Sequence, residues 1–314
     1  MSTMLKYPGE AGLLRMRRVY NKFVEVYKPS YKVIHVAGTS GKGSTTLIIA
    51  QILEALGLRV GVFINPYLYN ELEYLQINGA PIGKRLNNKL KREVESFVCD
   101  LEIPEIGKIT YFERLTTRAV LCFAKEAVDV AVIETAIGGL YDATNVVDSN
   151  VSVIGPISID HARLLGTNRS EIAAHKAGII KASNSKVVVG RQQEDAQEVI
   201  MRTAKKLSVR TSLLGKDFEV VDVKINETST LFSYRGYLEE EGLQISNIAL
   251  SLIGNHQADN AGVAITAART LLGSDYDMLK FSKGVKKALK KVKNPGRFEI
   301  RRHKKNDRNI RRGT

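Results

Sequence analysis

The sequence predicts an α/β fold, a P-loop-type, mostly parallel sheet with helices on both faces and a small β-rich insertion or edge sheet near 218–250. Three observations carry this. Short, continuous apolar runs alternate with segments of helical length and periodicity. A Gly-rich turn at 38–44 joins one such run to a helix. Between Phe218 and Leu250 the alternation gives way to short segments broken by turns.

In chain order, Val33 to Ala37 is an apolar run stopped by Gly38, a buried strand. Ser44 to Leu56 has helical periodicity and ends at Gly57, which serves as a C-terminal cap. Val60 to Ile64 is the next strand, and Leu86 to Val98 an amphipathic helix. Thr116 to Glu126 is a second helix, leading into a strand at Val128 to Ile133. Val151 to Ile157 is a strand, Ser170 to Gly178 a helix and Lys186 to Val189 a strand. Asn255 to Leu272, rich in Ala, returns to a strong helix. In such sheets ligands sit beyond the C-terminal ends of the strands.

Composition bounds the function. Of 314 residues, 44% are hydrophobic, enough for a sizeable core. No apolar run is long enough to span a bilayer, and Met1 to Arg18 does not read as a secretory signal. Cys99 and Cys122 are too few for a disulfide framework and read as thiols in a reducing compartment, so the expected location is cytoplasmic, with no membrane partner. The net charge of +14 raises a nucleic-acid reading. Seven basic residues against Asp307 put +6 of it in the last 14 residues, and Lys283 to Lys293 reads as the solvated face of a helix. No base-reading or aromatic-interleaved motif accompanies the charge, so no nucleic acid is expected.

The turn at 38–44 carries the chemistry. Gly38, Gly41 and Gly43 let the backbone bring N–H groups to phosphate oxygens, and the helix N-terminus adds its positive dipole end. Thr39 and Ser40 complete the loop, Lys42 is placed for the β- and γ-phosphates, and Ser44 supplies a hydroxyl for Mg²⁺. The expected cofactors are ATP and Mg²⁺. The spacing departs from Gly-x-x-x-x-Gly-Lys-Ser/Thr, since Val36 stands where the first glycine belongs. His35 reads as a packed strand histidine. Glu134, ending a buried strand, is a hard oxygen ligand for a cation.

From here the chain resembles the folylpolyglutamate synthase and dihydrofolate synthase family, a branch of the Mur ligases. The loop Gly38 to Ser44 is similar to the family's Gly-Thr-Asn-Gly-Lys-Gly-Ser, with Ser40 for Asn. Phe112 to Thr116 resembles Phe-Glu-x-x-Thr, and Glu134 to Asn145 resembles Glu-x-Gly-x-Gly-Gly-Arg-x-Asp-Ala-Thr-Asn. Asp160-His161, Leu165-Gly166 and Lys176 to Ile180 resemble a further signature, followed by Gly254 to Ala261 and Pro295 to Glu299.

The resemblance implies the Mur ligase central ATPase domain; a monomer is the expected state. It implies ATP-driven addition of L-glutamate to a folate or dihydropteroate carboxylate through an acyl phosphate. Residue by residue it implies metal ligands at Ser44, Asn65, Glu134 and His161. Lys42, Lys176 and His161 would be catalytic, Lys176 matching a lysine that is carbamylated in the family; unmodified, it is an ordinary helical lysine. Asn260 and Arg297 match ATP contacts. Phe112, Glu113, Thr116, Tyr141, Asp142 and Ala143 match the pteroate-side pocket. His161 has an alternative as a capping or packed histidine, and His256-Gln257 as residues that orient a loop.

Departures cluster on the folate and metal side. Asn65 replaces a magnesium-binding serine and offers only a neutral carbonyl. Tyr74 and Leu140 replace arginines, and His175 replaces a glutamate. The pattern stops at Ile300 and gives way to a basic, nearly featureless tail. The expected organisation is therefore a Mur-ligase-like ATP-binding domain over 1–296, then the truncated start of a C-terminal domain and the tail over 297–314. The alternative to an active ligase is a catalytically impaired nucleotide-binding remnant of that family.

Overall fold

The computed structural model describes residues 9–99, 107–182, 186–237 and 242–294, and the backbone of 299–302 and 308–311. One eight-stranded sheet organises them, in the order β4-β3-β2-β5-β1-β6-β7-β8. Its parallel body is β2 (Val60–Phe63), β5 (Val130–Glu134), β1 (Lys32–Ala37), β6 (Val151–Ile154), β7 (Lys186–Val189) and β8 (Arg210–Leu213). The short β3 (Leu75–Ile77) and β4 (Ala80–Pro81) extend one edge antiparallel.

Alternation along the strands sorts the helices onto two faces. Ile34, Val36, Val130, Val132, Val151 and Val153 point into a core shared with α2 (Lys42–Ala55), α8 (Asn255–Leu272) and α9 (Met278–Leu289). Val33, Ala131 and Ile133 point the other way, against α1 (Gly9–Tyr27), α3 (Lys84–Cys99) and α4 (Tyr111–Lys125). On that second face, Ile154, Val187 and Val189 are covered by Leu165 of the one-turn α5 (Ala162–Leu165), by α6 (Arg169–Ala177) and by α7 (Glu194–Lys206). Near-continuous apolar strands follow from this double coverage.

The region at 218–250 is a separate three-stranded antiparallel sheet, β9 (Phe218–Ile225), β10 (Thr230–Gly236) and β11 (Leu243–Leu250), rather than an extra edge of the main sheet. Its Phe218, Phe232 and Tyr234 enter the first core, and the Tyr234 hydroxyl pairs with Thr266 of α8 at 3.0 Å. The basic run after 283 behaves as expected. Phe281, Val285 and Leu289 of α9 are buried, and Lys283, Lys286 and Lys287 face solvent.

Beyond shifts of one or two residues at element ends, three differences from the sequence reading have identifiable local structure behind them. The helix expected from Thr116 begins at Tyr111, because Thr110 and Glu113 form a reciprocal capping box. The strand expected to reach Ile157 ends at Ile154, as the chain leaves the sheet to meet the Gly-rich turn. The tail expected to be nearly featureless holds two paired strands, β12 (Glu299–Arg302) and β13 (Arg308–Arg311). Among the described residues, no helix is long and apolar enough to cross a membrane.

Candidate functional site

Parallel pairing sets three strand ends side by side. Val36 lies opposite Glu134 on β5, and Ala37 opposite Ile154 on β6. The turn 38–41 leaves the sheet at this point. Gly38 passes so close to the neighbouring backbone that a Cβ on it would lie 3.1 Å from Gly155 Cα. Thr39 N donates to Pro156 O at 2.9 Å, and Thr39 Oγ1 to Ser158 O at 3.1 Å. Gly41 caps α2 in the left-handed region, φ 76°, and a Cβ there would come within 2.5 Å of Asn260 Oδ1. The loop is thus clamped by the segment after β6 on one side and by α8 on the other. The first N–H groups of α2, from Lys42 to Ser44, have no acceptor within the helix and face the loop mouth with the dipole behind them.

Two amines converge on one carbonyl. Gly38 O accepts from Lys42 Nζ at 3.2 Å and from Lys176 Nζ at 2.7 Å. Lys176 comes from α6 and is 3% exposed. Burial, reinforced by the charge of Lys42, pushes its amine down to about 7, against the opposing pull of Asp160 and Asp142.

Oxygen donors gather on the other side of the loop. Glu134 is buried at the end of β5, and its Oε2 accepts from Asn65 N at 3.0 Å. The same oxygen would lie 3.6 Å from a Cβ on Gly43. Ser44 Oγ, next along α2, accepts from Asn294 Nδ2 at 2.9 Å. The Asn65 side-chain amide is buried, and its Nδ2 has no partner among the described residues. The site that sequence reading assigned to Ser44, Asn65 and Glu134 is therefore brought together around Gly43. His161 is not hydrogen-bonded to any of these three. Its backbone is left-handed, φ 50°, and its ring is exposed, 3.6 Å from Asp160. Among the described residues, no group of three or more His, Cys, Asp and Glu side chains converges as a metal cage.

The 135–146 loop is held from inside by Asp142. Its carboxylate accepts from Ala136 N at 3.0 Å, Ile137 N at 2.9 Å, Thr144 N at 3.0 Å and Thr144 Oγ1 at 2.5 Å. Burial pushes this carboxyl up and the four hydrogen bonds oppose that. Thr144 spends its only hydroxyl proton on Asp142, so its oxygen accepts from His35 Nε2 at 2.8 Å. His35 is fully buried, and burial pulls it down to about 3, so it stays neutral. This packed histidine is the one read from the sequence, with a partner that the sequence did not reveal.

Phe112 stacks on Phe63 with centroids 5.9 Å apart, and Tyr141 meets the His175 ring edge-on at 5.8 Å. Ala143 opens a short 3-10 turn capped by Asp142. Thr116 donates to Phe112 O at 3.0 Å. Glu113 is engaged internally. It makes a two-pronged buried pair with Arg15, at 3.1 and 2.8 Å, and accepts from Thr110 N at 2.7 Å. Asn260 is buried against Gly41 and donates to Gln257 Oε1 at 3.2 Å. His256 lies exposed beside Gly254. Arg297 falls outside the described residues. Asn294, the last described residue before it, was missed in the sequence; its only signal is its place beside the Pro-Gly-Arg run.

Comparison with known proteins agrees with this geometry. The Mur ligase middle domain family matches residues 36–268. The dihydrofolate synthase/folylpolyglutamate synthase of Bacillus subtilis is 34% identical over 297 residues, covering 94% of this chain and 67% of that protein. The corresponding Mycobacterium tuberculosis protein is 33% identical over 282 residues, covering 86% of this chain and 57% of that protein. A folylpolyglutamate synthase of Mycobacterium tuberculosis complexed with ADP superposes with a TM-score of 0.85 at 31% identity, covering 95% of this chain and 66% of that one. An FPGS–AMPPCP–folate complex gives 0.85 at 30% identity, covering 93% and 70%. The chain thus spans between 57% and 67% of the length of these two curated relatives. The chain belongs to the folylpolyglutamate synthase/dihydrofolate synthase family of the Mur ligases.

Proposed function

We propose that this chain binds ATP at Gly38 to Ser44 and serves an ATP-dependent amide ligase, which adds L-glutamate to a folate or dihydropteroate carboxylate. The observation that carries the reading is the loop itself, clamped between Gly155 and Asn260, with Lys42 and Lys176 on one side and Glu134 on the other. The relatives complexed with ADP, and with AMPPCP and folate, support it.

In this reading the free N–H groups of α2 and the Lys42 ammonium take the phosphates, Lys42 leaving Gly38 O to reach them. A carboxylate oxygen of the acceptor attacks the γ-phosphorus and ADP leaves. The glutamate amine then attacks the acyl carbon and phosphate leaves. The protein's contribution is alignment and charge neutralisation more than a nucleophile of its own. Phe112, Thr116, Tyr141 and Ala143 flank the acceptor. Glu113 and Asp142 act from behind, one tied to Arg15 and the capping box, the other fixing the 135–146 loop. Asn260, with Arg297, completes the nucleotide contacts.

The residues present fit a magnesium ion. Glu134 and Ser44 are hard oxygen donors beside the loop, and Asn65, whose backbone N–H is bonded to Glu134, would add only its side-chain carbonyl. Bound at Ser44, Asn65 and Glu134, Mg²⁺ would neutralise phosphate charge. His161 is the candidate for a second cation. Lys176, buried and pushed down to about 7, has a substantial share of the neutral form that reacts with CO₂, which suits it to carbamylation. We also assign residues 1–296 to one ATP-binding domain, a monomer in the cytoplasm.

The test is ADP release with dihydropteroate or tetrahydrofolate plus L-glutamate, beside binding of AMPPCP. The reading predicts AMPPCP binding that Lys42→Ala abolishes, and ADP release that requires both acceptor and glutamate. AMPPCP binding untouched by Lys42→Ala would overturn it, as would ADP release indifferent to the acceptor.

A further inference from the structure

The edge of the sheet opposite the nucleotide loop carries a second concentration of positive charge. The strands are parallel, so their N-terminal ends lie on that edge. There β7 and β8 begin at Lys186 and Arg210, which are direct partners in register. Like charges on adjacent strands, about 4.8 Å apart, repel and destabilise the pairing. Among the described residues, neither has an ion-pair partner to offset this.

A third cation meets them from the last turn of α8. Arg269 is 5% exposed, and its guanidinium is fixed by the turn that follows, with Nη1 donating to Tyr276 O at 2.6 Å and Nη2 to Ser274 O at 3.0 Å. Lys186, Arg210 and Arg269 line a cleft of about 130 Å³ with the hydroxyls of Ser212, Thr270 and Ser274. Among the described residues, no carboxylate lines it. Ser274 Oγ donates to Asp275 Oδ1 at 3.4 Å, and Asp275 is not among the residues lining the cleft. The volume is roughly that of four liquid waters, room for a small anion. Among the described residues that line it, no aromatic ring offers a base a surface to stack on.

We propose that this cleft is a binding site for a small multivalent oxyanion of the phosphate class, separate from the nucleotide loop. Three cations with the hydroxyls of Ser212 and Thr270 match a multivalent anion in charge and in hydrogen-bond donors. An anion there turns the repulsion between Lys186 and Arg210 into shared attraction, so it stabilises the β7–β8 edge on binding. The inference is independent of the ligase reading.

The experiment is calorimetric titration of inorganic phosphate, with sulfate as the isosteric arm, against chloride controls of equal ionic strength. It is run in a Lys42→Ala background, so that the nucleotide loop does not contribute. The expected result is saturable phosphate binding in Lys42→Ala that weakens about tenfold or more when Lys186→Gln and Arg210→Gln are added. AMPPCP affinity, measured on the Lys186→Gln/Arg210→Gln protein with Lys42 intact, stays at the wild-type value and reports a preserved fold. Equal phosphate affinity with and without the two glutamines overturns the proposal, and so does loss of all phosphate binding on Lys42→Ala alone.

Discussion

A buried amine beside a second lysine costs the folded chain stability whenever it is protonated. Lys176 is held at about 7 against an ordinary 10.5. Between those values the unfolded chain binds a proton that the folded chain does not, so stability rises with pH across that window and falls as the amine charges on the way down. One such proton is worth up to about 1.4 kcal/mol per pH unit. Urea unfolding of wild type between pH 7 and 10 should therefore climb more steeply than that of Lys176→Met, and parallel curves would refute the assignment. Glu113 makes the opposite case. Its place in a Phe-Glu-x-x-Thr run marked it for the acceptor pocket, yet its carboxylate answers Arg15 and Thr110. Glu113→Ala strands a buried guanidinium and opens the capping box, an expected loss of about 3–5 kcal/mol in chemical unfolding. A variant with wild-type stability and weakened acceptor binding would restore the pocket role. Arg15 lies 98 residues away in sequence, and no local pattern announces such a partner.

At the level of elements, the strand–loop–helix unit from β1 through α2 was legible because burial on both faces makes β1 an apolar run and glycines punctuate it. What was not legible is why each glycine is there. At Gly41 two constraints coincide, a left-handed backbone and contact with Asn260. Gly41→Ala is expected to displace Asn260 and weaken AMPPCP binding by about tenfold or more, at a conformational cost of about 1–3 kcal/mol. Isothermal titration with AMPPCP decides it, and an unchanged affinity would mean the loop adapts freely. The α4 boundary teaches a related lesson. Periodicity sees the apolar stripe from Thr116 onward, whereas the helix begins where Thr110 can cap it, and this puts Phe112 on a rigid first turn against Phe63. The small sheet showed its strands in the sequence but not its location. Only the burial of Phe218, Phe232 and Tyr234 against α8 determines that.

For the whole molecule, that shared core argues against an independently folding insertion. Residues of β10 and β11 lie in one cluster with α2, α8, α9 and the centre of the main sheet. Unfolding in urea should accordingly be a single transition, with coincident midpoints by far-UV circular dichroism and by the near-UV signal of the 12 tyrosines, in a chain that has no tryptophan. Two separated midpoints would divide the domain. The site, too, is a property of the whole, since its parts come from β1, α2, β5, α6, α8 and the 155–158 segment. Sequence order lists such parts without giving their spacing. One detail shows how the spacing is kept. The Thr144 hydroxyl points its proton at Asp142 and receives one from His35, so a two-bond bridge runs from β1, just ahead of the phosphate turn, to the loop that follows Glu134. The bridge has a fixed polarity, because the Asp142 carboxylate can only accept, and this sets the direction of both hydrogen bonds. It works as a dowel between two machined parts: whatever the phosphate turn and the carboxylate of β5 do together, a hidden proton keeps them in alignment.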